Sequence, residues 1–312
     1  MTERQYPAPL IYVVILNWNL KDDTIACVES VQAGSDMAPR IVIVDNASDD
    51  GSVAAFRRLG PAVEVIANEE NIGFARGANE GVRHALSRDA DYVLLLNNDT
   101  IAGAGLIGHL LAAAAAAPGP AVLGPAIYYH GEPRRFWRLG AVHRWGLPVP
   151  CEIGRDALDQ GQFQAPFDVD YVTGCAMWVP AAIFERVGLL DEDFYMYYED
   201  ADFCRRVRRA GFRITVVPQA HIWHKVSRSA RQVPRTTAYQ HTRNRVLFYN
   251  RYTTGPGRFL ANAYLLATTV ARMVRPGGDR AVAGYLWRGL LDGWRGLDTD
   301  RNADNQGTGA GF

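Results

Sequence analysis

The first hundred residues alternate four times between apolar runs and amphipathic segments. Ile11 to Leu16 (IYVVIL) is a continuous, mostly β-branched apolar run, the pattern of a strand buried on both faces. Asp22 to Val31 has helical spacing, with Ile25 and Val28 on one face. Ile41 to Val44 predicts a second buried strand and residues 52–59 a helix. Val63 to Ala67 predicts a third strand, Ala75 to Leu86 a helix, and Tyr92 to Leu96 a fourth strand. Strands alternating with helices predict an α/β fold with a mostly parallel central sheet covered on both sides. Such sheets bind ligands beyond the carboxyl ends of their strands, so chemistry is expected in the polar residues that follow each strand.

The later chain is less regular. Residues 101–117 read as a helix stopped by Pro118-Gly119-Pro120. Residues 130–170, rich in Pro, Gly, Arg and Trp, read as loops with a hairpin. Residues 171–217 return to strand, short helix, acidic turn, helix and strand. From 238 the pattern becomes arginine-studded amphipathic helices, and the polar stretch from Asp298 reads as disordered. The expected organisation is one domain over 1–237 in two halves, about 10–125 and about 126–237. A helical region over 238–297 and a tail over 298–312 follow.

Composition mainly excludes. The 33 Lys and Arg balance the 33 Asp and Glu, so no global field marks a nucleic-acid binder. Cys27, Cys151, Cys175 and Cys204 form no C-x-x-C pair, which favours reduced thiols over a zinc site or disulfides and implies a cytosolic setting. Met1 to Leu10 lacks the apolar core of a signal peptide. The stretch Phe259 to Val274 is interrupted by Arg272 and is too short to span a bilayer. The expected location is the cytoplasm, with the C-terminal helices as a candidate contact with the inner membrane surface.

Three strand ends carry polar clusters: Asn17-Trp18-Asn19, Asp45 through Ser52, and Asn97-Asn98-Asp99-Thr100. Any one of them is explained as a helix cap or turn. Three at one sheet edge point to a ligand site. Asp45 suits the imide N–H of uracil or thymine, because a carboxylate only accepts. Asp99 suits a hard divalent cation that also bridges diphosphate oxygens. In Asn71 to Asn79 (NIGFARGAN), Gly73 and Gly77 either permit close backbone approach to a ligand or ease a turn into a helix.

A second acidic cluster runs from Asp191 to Asp193 and from Glu199 to Asp202. Acids opening a helix complement its dipole, and Asp202 can pair with Arg206 one turn on. The preceding aromatics Phe194, Tyr195, Tyr197 and Tyr198 equally suit a carboxylate whose pKa is raised to serve as a base. His224, after a strand, reads as either a structural histidine or a metal ligand. Gly103 to Gly108 matches G-x-G-x-x-G by chance: a polar turn separates it from the strand, and no acid occurs between Asp99 and Glu132.

Taken in order, ILNWN (15–19), IVDNASDDGS (43–52), NIGFARGAN (71–79), LLLNNDT (94–100), TGCAMWVP (173–180), YYEDADFCRR (197–206) and HKVSRS (224–229) resemble the family 2 glycosyltransferases with the A-type, Rossmann-like nucleotide-binding fold. Bacterial rhamnosyltransferase-like members are the nearest in pattern, and the resemblance covers about residues 10–250. It implies that Asp45 recognises the base and that Asp99 is the final acid of a D-x-D element, here preceded by Asn97 and Asn98. It implies Asp200 as catalytic base and His224 as a second metal ligand. Asn17, Asn19, Asn71, Gly73, Asn79 and Asn98 fall on the nucleotide and donor side, and Gly174, Cys175, Glu199 and Asp202 on the acceptor and sugar side. The implied reaction is inverting transfer from a nucleotide diphosphate sugar, dTDP-rhamnose first and UDP-sugars next. The implied acceptor is a glycan or polyprenyl-diphosphate-linked hydroxyl in cell-envelope polysaccharide synthesis, and the implied cofactor is Mn²⁺ or Mg²⁺.

Two rivals are weaker. A nucleotidyltransferase needs a glycine-rich basic loop after its first strand, and Asn17 to Lys21 has no glycine. A silent nucleotide- or carbohydrate-binding module needs no base. Arg243, Arg245, Arg251 and Arg258, interleaved with Phe248, Tyr249, Tyr252 and Phe259, suit an anionic membrane surface or a lipid-diphosphate acceptor. They equally suit a helical hairpin packed on the domain with its arginines in water.

Overall fold

The computed structural model describes residues 8–34, 37–143, 150–226, 233–274 and 280–296. The end of the HKVSRS segment, from 227, and the tail over 298–312 lie outside the described residues.

The first half follows the expected alternation: β1 (Ile11–Asn17), α1 (Lys21–Ala33), β2 (Arg40–Asp45), α2 (Ser52–Phe56), β3 (Val63–Ala67), α3 (Phe74–Leu86) and β4 (Tyr92–Asn97). Side chains alternate across a strand, so a strand covered on both faces must be apolar throughout. In β1, Ile11, Val13 and Ile15 pack with Cys27, Val28 and Val31 of α1. Tyr12 and Val14 pack on the opposite face with Ala78, Val82 and Ala85 of α3. β1 pairs in parallel with β2 and β4, and β2 with β3.

The expected helix over 101–117 divides. Thr100–Ala102 forms a short strand, β5, and the helix α4 starts only at Leu106 and runs to Ala116. Thr100 and Ile101 are β-branched, and Gly103 and Gly105 disfavour a helix interior. Residues 130–170 hold more strand than expected. β6 (Ala121–Tyr129) leads to β7 (Glu132–Arg138), β8 (Gly140–His143) pairs with β9 (Pro150–Ile153), and β10 (Phe167–Asp168) edges the main sheet. β7 begins with Glu, Pro and two arginines, mostly exposed, so no apolar alternation announces it.

β11 (Ala176–Pro180), α5 (Ala181–Val187), α6 (Glu199–Arg209) and β12 (Arg213–His224) complete the sheet, in the order β10-β12-β6-β11-β4-β1-β2-β3. β11 runs antiparallel to both β4 and β6, so the sheet is parallel over β3-β2-β1-β4 and mixed beyond. β12 extends past Pro218 through a register shift, pairs with β5 and carries His224 opposite Thr100.

Three helices follow: α7 (Pro234–Tyr252), α8 (Gly255–Met273) and α9 (Arg280–Arg295). α7 opens with proline, favourable in a first turn because its missing N–H would be unpaired there anyway. Val246, Phe248, Tyr249, Leu265 and Leu290 form a third apolar cluster that encloses Phe194, from the loop before α6. The helices are therefore packed on α6 and the loop that precedes it. Among the described residues, no helix is long and apolar enough to cross a membrane.

Candidate active site

A cavity of about 640 Å³ opens at the carboxyl ends of β1 and β4 and reaches α6 and α7. One buried carboxamide ties three strand ends together. Asn17 Nδ2 donates to Asp45 Oδ2 at 2.7 Å and shares its other hydrogen between the Ser48 and Ser52 hydroxyls at 3.0 and 3.1 Å. Its Oδ1 accepts from Thr24 Oγ1 at 2.7 Å and Asn98 Nδ2 at 3.2 Å. Only an amide offers donors and an acceptor together on so short a chain. Asn98 also donates to Thr24 Oγ1 at 3.0 Å, so two oxygens face it where a carboxylate would be repelled. That accounts for an asparagine rather than an acid at position 98.

Asp45 is fully buried behind the cavity wall, where it also accepts from Ser48 N at 2.9 Å. Asn19, at φ 50°, braces the neighbouring loop through Asp49 N and does not line the cavity. Asn46 does line it, and donates to the Gly73 carbonyl at 3.0 Å. Gly73 has φ 83°, and a Cβ there would lie 2.5 Å from the Tyr195 ring, so only glycine allows this approach. Tyr195 closes the contact: its carbonyl accepts from Phe74 N at 2.7 Å and its hydroxyl donates to Asn71 Oδ1 at 3.1 Å. Asn79 lies apart and braces the Leu190 backbone at 2.8 and 3.0 Å.

Asp99 Oδ1 and His224 Nε2 meet at 3.0 Å on the cavity wall, both buried, with Trp137 edge-on to the imidazole. Among the described residues, no group of three or more His, Cys, Asp or Glu side chains is placed to hold a metal. One carboxylate and one imidazole nonetheless fit a hard cation that takes its remaining ligands from diphosphate oxygens and water.

Across the cavity, Asp200 sits in the first turn of α6. Its Oδ2 accepts from the Tyr171 hydroxyl at 2.7 Å and Gly174 N at 2.8 Å, and its Oδ1 from Ala201 N at 2.7 Å. Burial, and then the Asp200 charge, hold the Tyr171 hydroxyl well above its usual pKa, so it stays a donor. A carboxylate has about four lone-pair positions, so roughly one remains for an incoming hydroxyl. Gly174 packs against Asp200, and a Cβ there would stand 3.3 Å from that of the aspartate. Cys175 contributes its carbonyl to Asn97 N, and burial keeps its thiol protonated. Asp202 is fully buried, faces away from the cavity, and is paired with Arg206, Arg251 and Tyr252.

Glu199 lines the cavity beside Asp200. Burial first, and the Asp200 charge second, push its carboxyl well above the usual 4.5. Its folded-state value exceeds its unfolded one, so folding takes up a proton above pH 4.5 and stability falls as pH rises across that window. The E199Q variant is expected to match the parent below pH 4.5 and to become progressively more stable toward neutrality. The gain should approach about 1 kcal/mol per pH unit, as read by denaturant titration at several pH values. A constant difference between the two proteins would show that Glu199 does not carry the extra proton.

Sequence reasoning missed Tyr171, Asn46 and Asn244. Tyr197 and Tyr198, just before α6, both have positive φ, at 70° and 73°, a conformation costly for such residues. Asn244 Nδ2 donates to the carbonyls of Met196 and Tyr197 at 2.8 and 3.0 Å and holds that turn. Arg243 adds a bond to the Asp193 carbonyl at 2.6 Å. An asparagine in a helix interior, where propensity disfavours it, was the available signal. Tyr171 had none, because its partner stands 29 positions away.

The glycosyl transferase family 2 model matches residues 12–188. The N-acetylglucosaminyl-diphospho-decaprenol L-rhamnosyltransferase of Mycobacterium tuberculosis is 25% identical over 236 residues, 70% of this chain and 77% of that protein. The dTDP-rhamnosyl transferase RfbF of Shigella flexneri is 22% identical over 189 residues, 60% of each chain. In fold, the chain is similar to the mannosyltransferase PcManGT from Pyrobaculum calidifontis, solved with GDP-Man and Mn²⁺. That likeness has a TM-score of 0.57 at 16% identity and covers 93% of this chain and 88% of that one. With more than half of its residues matched by the family model, the chain belongs to glycosyl transferase family 2.

Proposed function

We propose that this glycosyltransferase moves a hexose, best read as rhamnose from dTDP-rhamnose, to a hydroxyl of a lipid-linked glycan in cell-envelope polysaccharide synthesis, with inversion. The observation that carries the reading is the Asp200 carboxylate, held by three donors and facing a cavity that also reaches Asp99 and His224. The similarity to two rhamnosyltransferases, one named for a decaprenol-linked acceptor, supports the sugar and the acceptor class. UDP-sugars are the second reading, since nothing in the buried position of Asp45 separates thymine from uracil.

Asp200 takes the proton of the acceptor hydroxyl while that oxygen attacks the anomeric carbon from the face opposite the diphosphate. The bond to the diphosphate breaks, the leaving group keeps the electron pair, and a single displacement inverts the centre. Tyr171 and the Gly174 amide orient the carboxylate throughout. Asp99 and His224 would hold a divalent cation, which supplies charge neutralisation on the diphosphate. The reading places the enzyme at the inner membrane surface, with the apolar outer face of α8, including Phe259 and Val274, turned to lipid.

Calorimetric titration with dTDP, UDP and GDP, each with and without Mn²⁺, tests the donor site. One nucleotide is expected to bind at least tenfold more tightly with Mn²⁺, and Asp99→Ala is expected to remove that increment. Binding equally insensitive to Mn²⁺ in the parent and in D99A would remove Asp99 from the metal site.

A further inference from the structure

The arginines interleaved with aromatics on α7 and α8 have separate fates. Arg243 holds the Asp193 carbonyl, Arg251 is paired with Asp191, Asp193 and Asp202, and Arg258 reaches Asn250. Arg245 differs. Its Nη1 donates to Thr268 Oγ1 at 3.0 Å, and its guanidinium lies 5.1 Å from the centre of the Tyr264 ring. Arg272 stands one turn beyond Thr268 on the same side of α8. The two cations sense each other: burial, and then the Arg245 charge, hold Arg272 below its ordinary pKa. Among the described residues, neither has a carboxylate within ion-pair distance. Arg272 is exposed, so water screens part of this repulsion, and a bound anion would relieve the rest.

Their location specifies the anion. His241, one turn before Arg245 on α7, lines the catalytic cavity and meets the rings of Tyr197 and Tyr198 edge-on at 5.7 and 5.5 Å. Burial, then Arg272 and Arg245, push His241 down to about 4, so the imidazole is neutral and offers hydrogen bonding without charge. Its Nδ1 has no partner among the described residues. Along α7 the cavity-lining His241 is followed one turn on by Arg245, which reaches α8 at Thr268; neither arginine itself lines the cavity, and the outer face of α8 lies beyond them. On that face Phe259, Leu260, Val270 and Val274 are exposed. A sugar, a phosphate and a hydrocarbon chain have the same order of chemistry.

We propose that Arg245 and Arg272 seat the diphosphate of a lipid-linked acceptor, with its sugar directed along Tyr198 and His241 to Asp200 and its hydrocarbon chain along the outer face of α8. Guanidinium forks match phosphate oxygens and suit this role better than a point charge. The proposal deepens the reading of the acceptor as lipid-linked and rests on it.

The test uses geranyl diphosphate, titrated into the full chain with Mn²⁺ and nucleoside diphosphate already bound, so that the donor site is filled. R245Q and R272Q are each expected to weaken binding about tenfold and the double variant about a hundredfold. Geraniol, which has no phosphate, should bind parent and variants alike. Inorganic pyrophosphate should bind more weakly but with the same dependence on both arginines. R272Q alters an exposed side chain and keeps the test valid if R245Q fails to fold. Equal affinity of the parent and R272Q for geranyl diphosphate would overturn the proposal. So would loss of binding to phosphatidylglycerol vesicles with geranyl diphosphate affinity unchanged, which would assign the pair to membrane headgroups. Arginine-dependent binding of geranyl diphosphate, without transfer to any lipid-diphosphate sugar, would keep the seat and remove the lipid-linked acceptor from the proposed function.

Discussion

Replacing Asp200 with asparagine is expected to lower kcat by about a thousandfold, within the range for removing a positioned general base. The amide keeps the volume but not the chemistry. It cannot take the proton, and its NH₂ would face at least one of three groups that all donate: Tyr171, Gly174 N and Ala201 N. Nucleotide affinity should change by less than about twofold, because the contacts of Asp200 lie with Tyr171, Gly174 and the first turn of α6 rather than with the ends of β1, β2 and β4. Pairing kcat with calorimetric dTDP affinity separates a lost base from a collapsed site. E199Q serves as the control, since the neighbouring carboxyl already carries its proton and the amide mimics it. A D200N enzyme turning over near the parent rate would remove Asp200 as the base.

The largest expected loss of stability follows Asp202→Ala. The carboxylate is fully buried, with Arg206 Nε at 2.7 Å, Arg251 Nη1 at 3.0 Å and the Tyr252 hydroxyl at 2.7 Å. Removing it leaves two guanidinium groups without their shared partner, each about a quarter to a third exposed. Breaking a buried pair from one side costs roughly 3–5 kcal/mol, and the partial exposure of both arginines puts the expectation near the lower end. Urea denaturation measures it. A loss below about 1 kcal/mol would mean that water replaces the carboxylate and that the α6–α7 contact rests on apolar packing alone.

The first four strands were legible because each is buried on both faces, and continuous apolar runs such as Ile11 to Leu16 have no other economical reading. β7 was not legible, because its exposed residues carry no period. β5 was hidden inside an apparent helix because its pairing partner, the end of β12, lies more than a hundred residues away. The same distinction divides the site. Asn17, Asn98, Asp99 and Asp200 stand where local rules place functional residues, at strand ends and a helix start. The structure gathers them, with Glu199, Gly174 and His224, around one cavity. Asn79 and Asp202 look the same in sequence but face inward as braces, because a polar side chain in the first two turns of a helix does not announce which way it turns. Tyr171, Asn46 and Asn244 act through partners that only the fold brings near.

The grip of α7 on the turn before α6 has a consequence for synthesis. The chain is made from its N-terminus, and its first strands and helices can begin folding as they emerge. The strained Tyr197–Tyr198 turn has no internal reason to persist, and its restraints, Arg243 and Asn244, are translated some 45 residues later. The proposed donor side thus forms before the turn that aligns the proposed base. The turn that positions Asp200 is therefore completed only once α7 has been made.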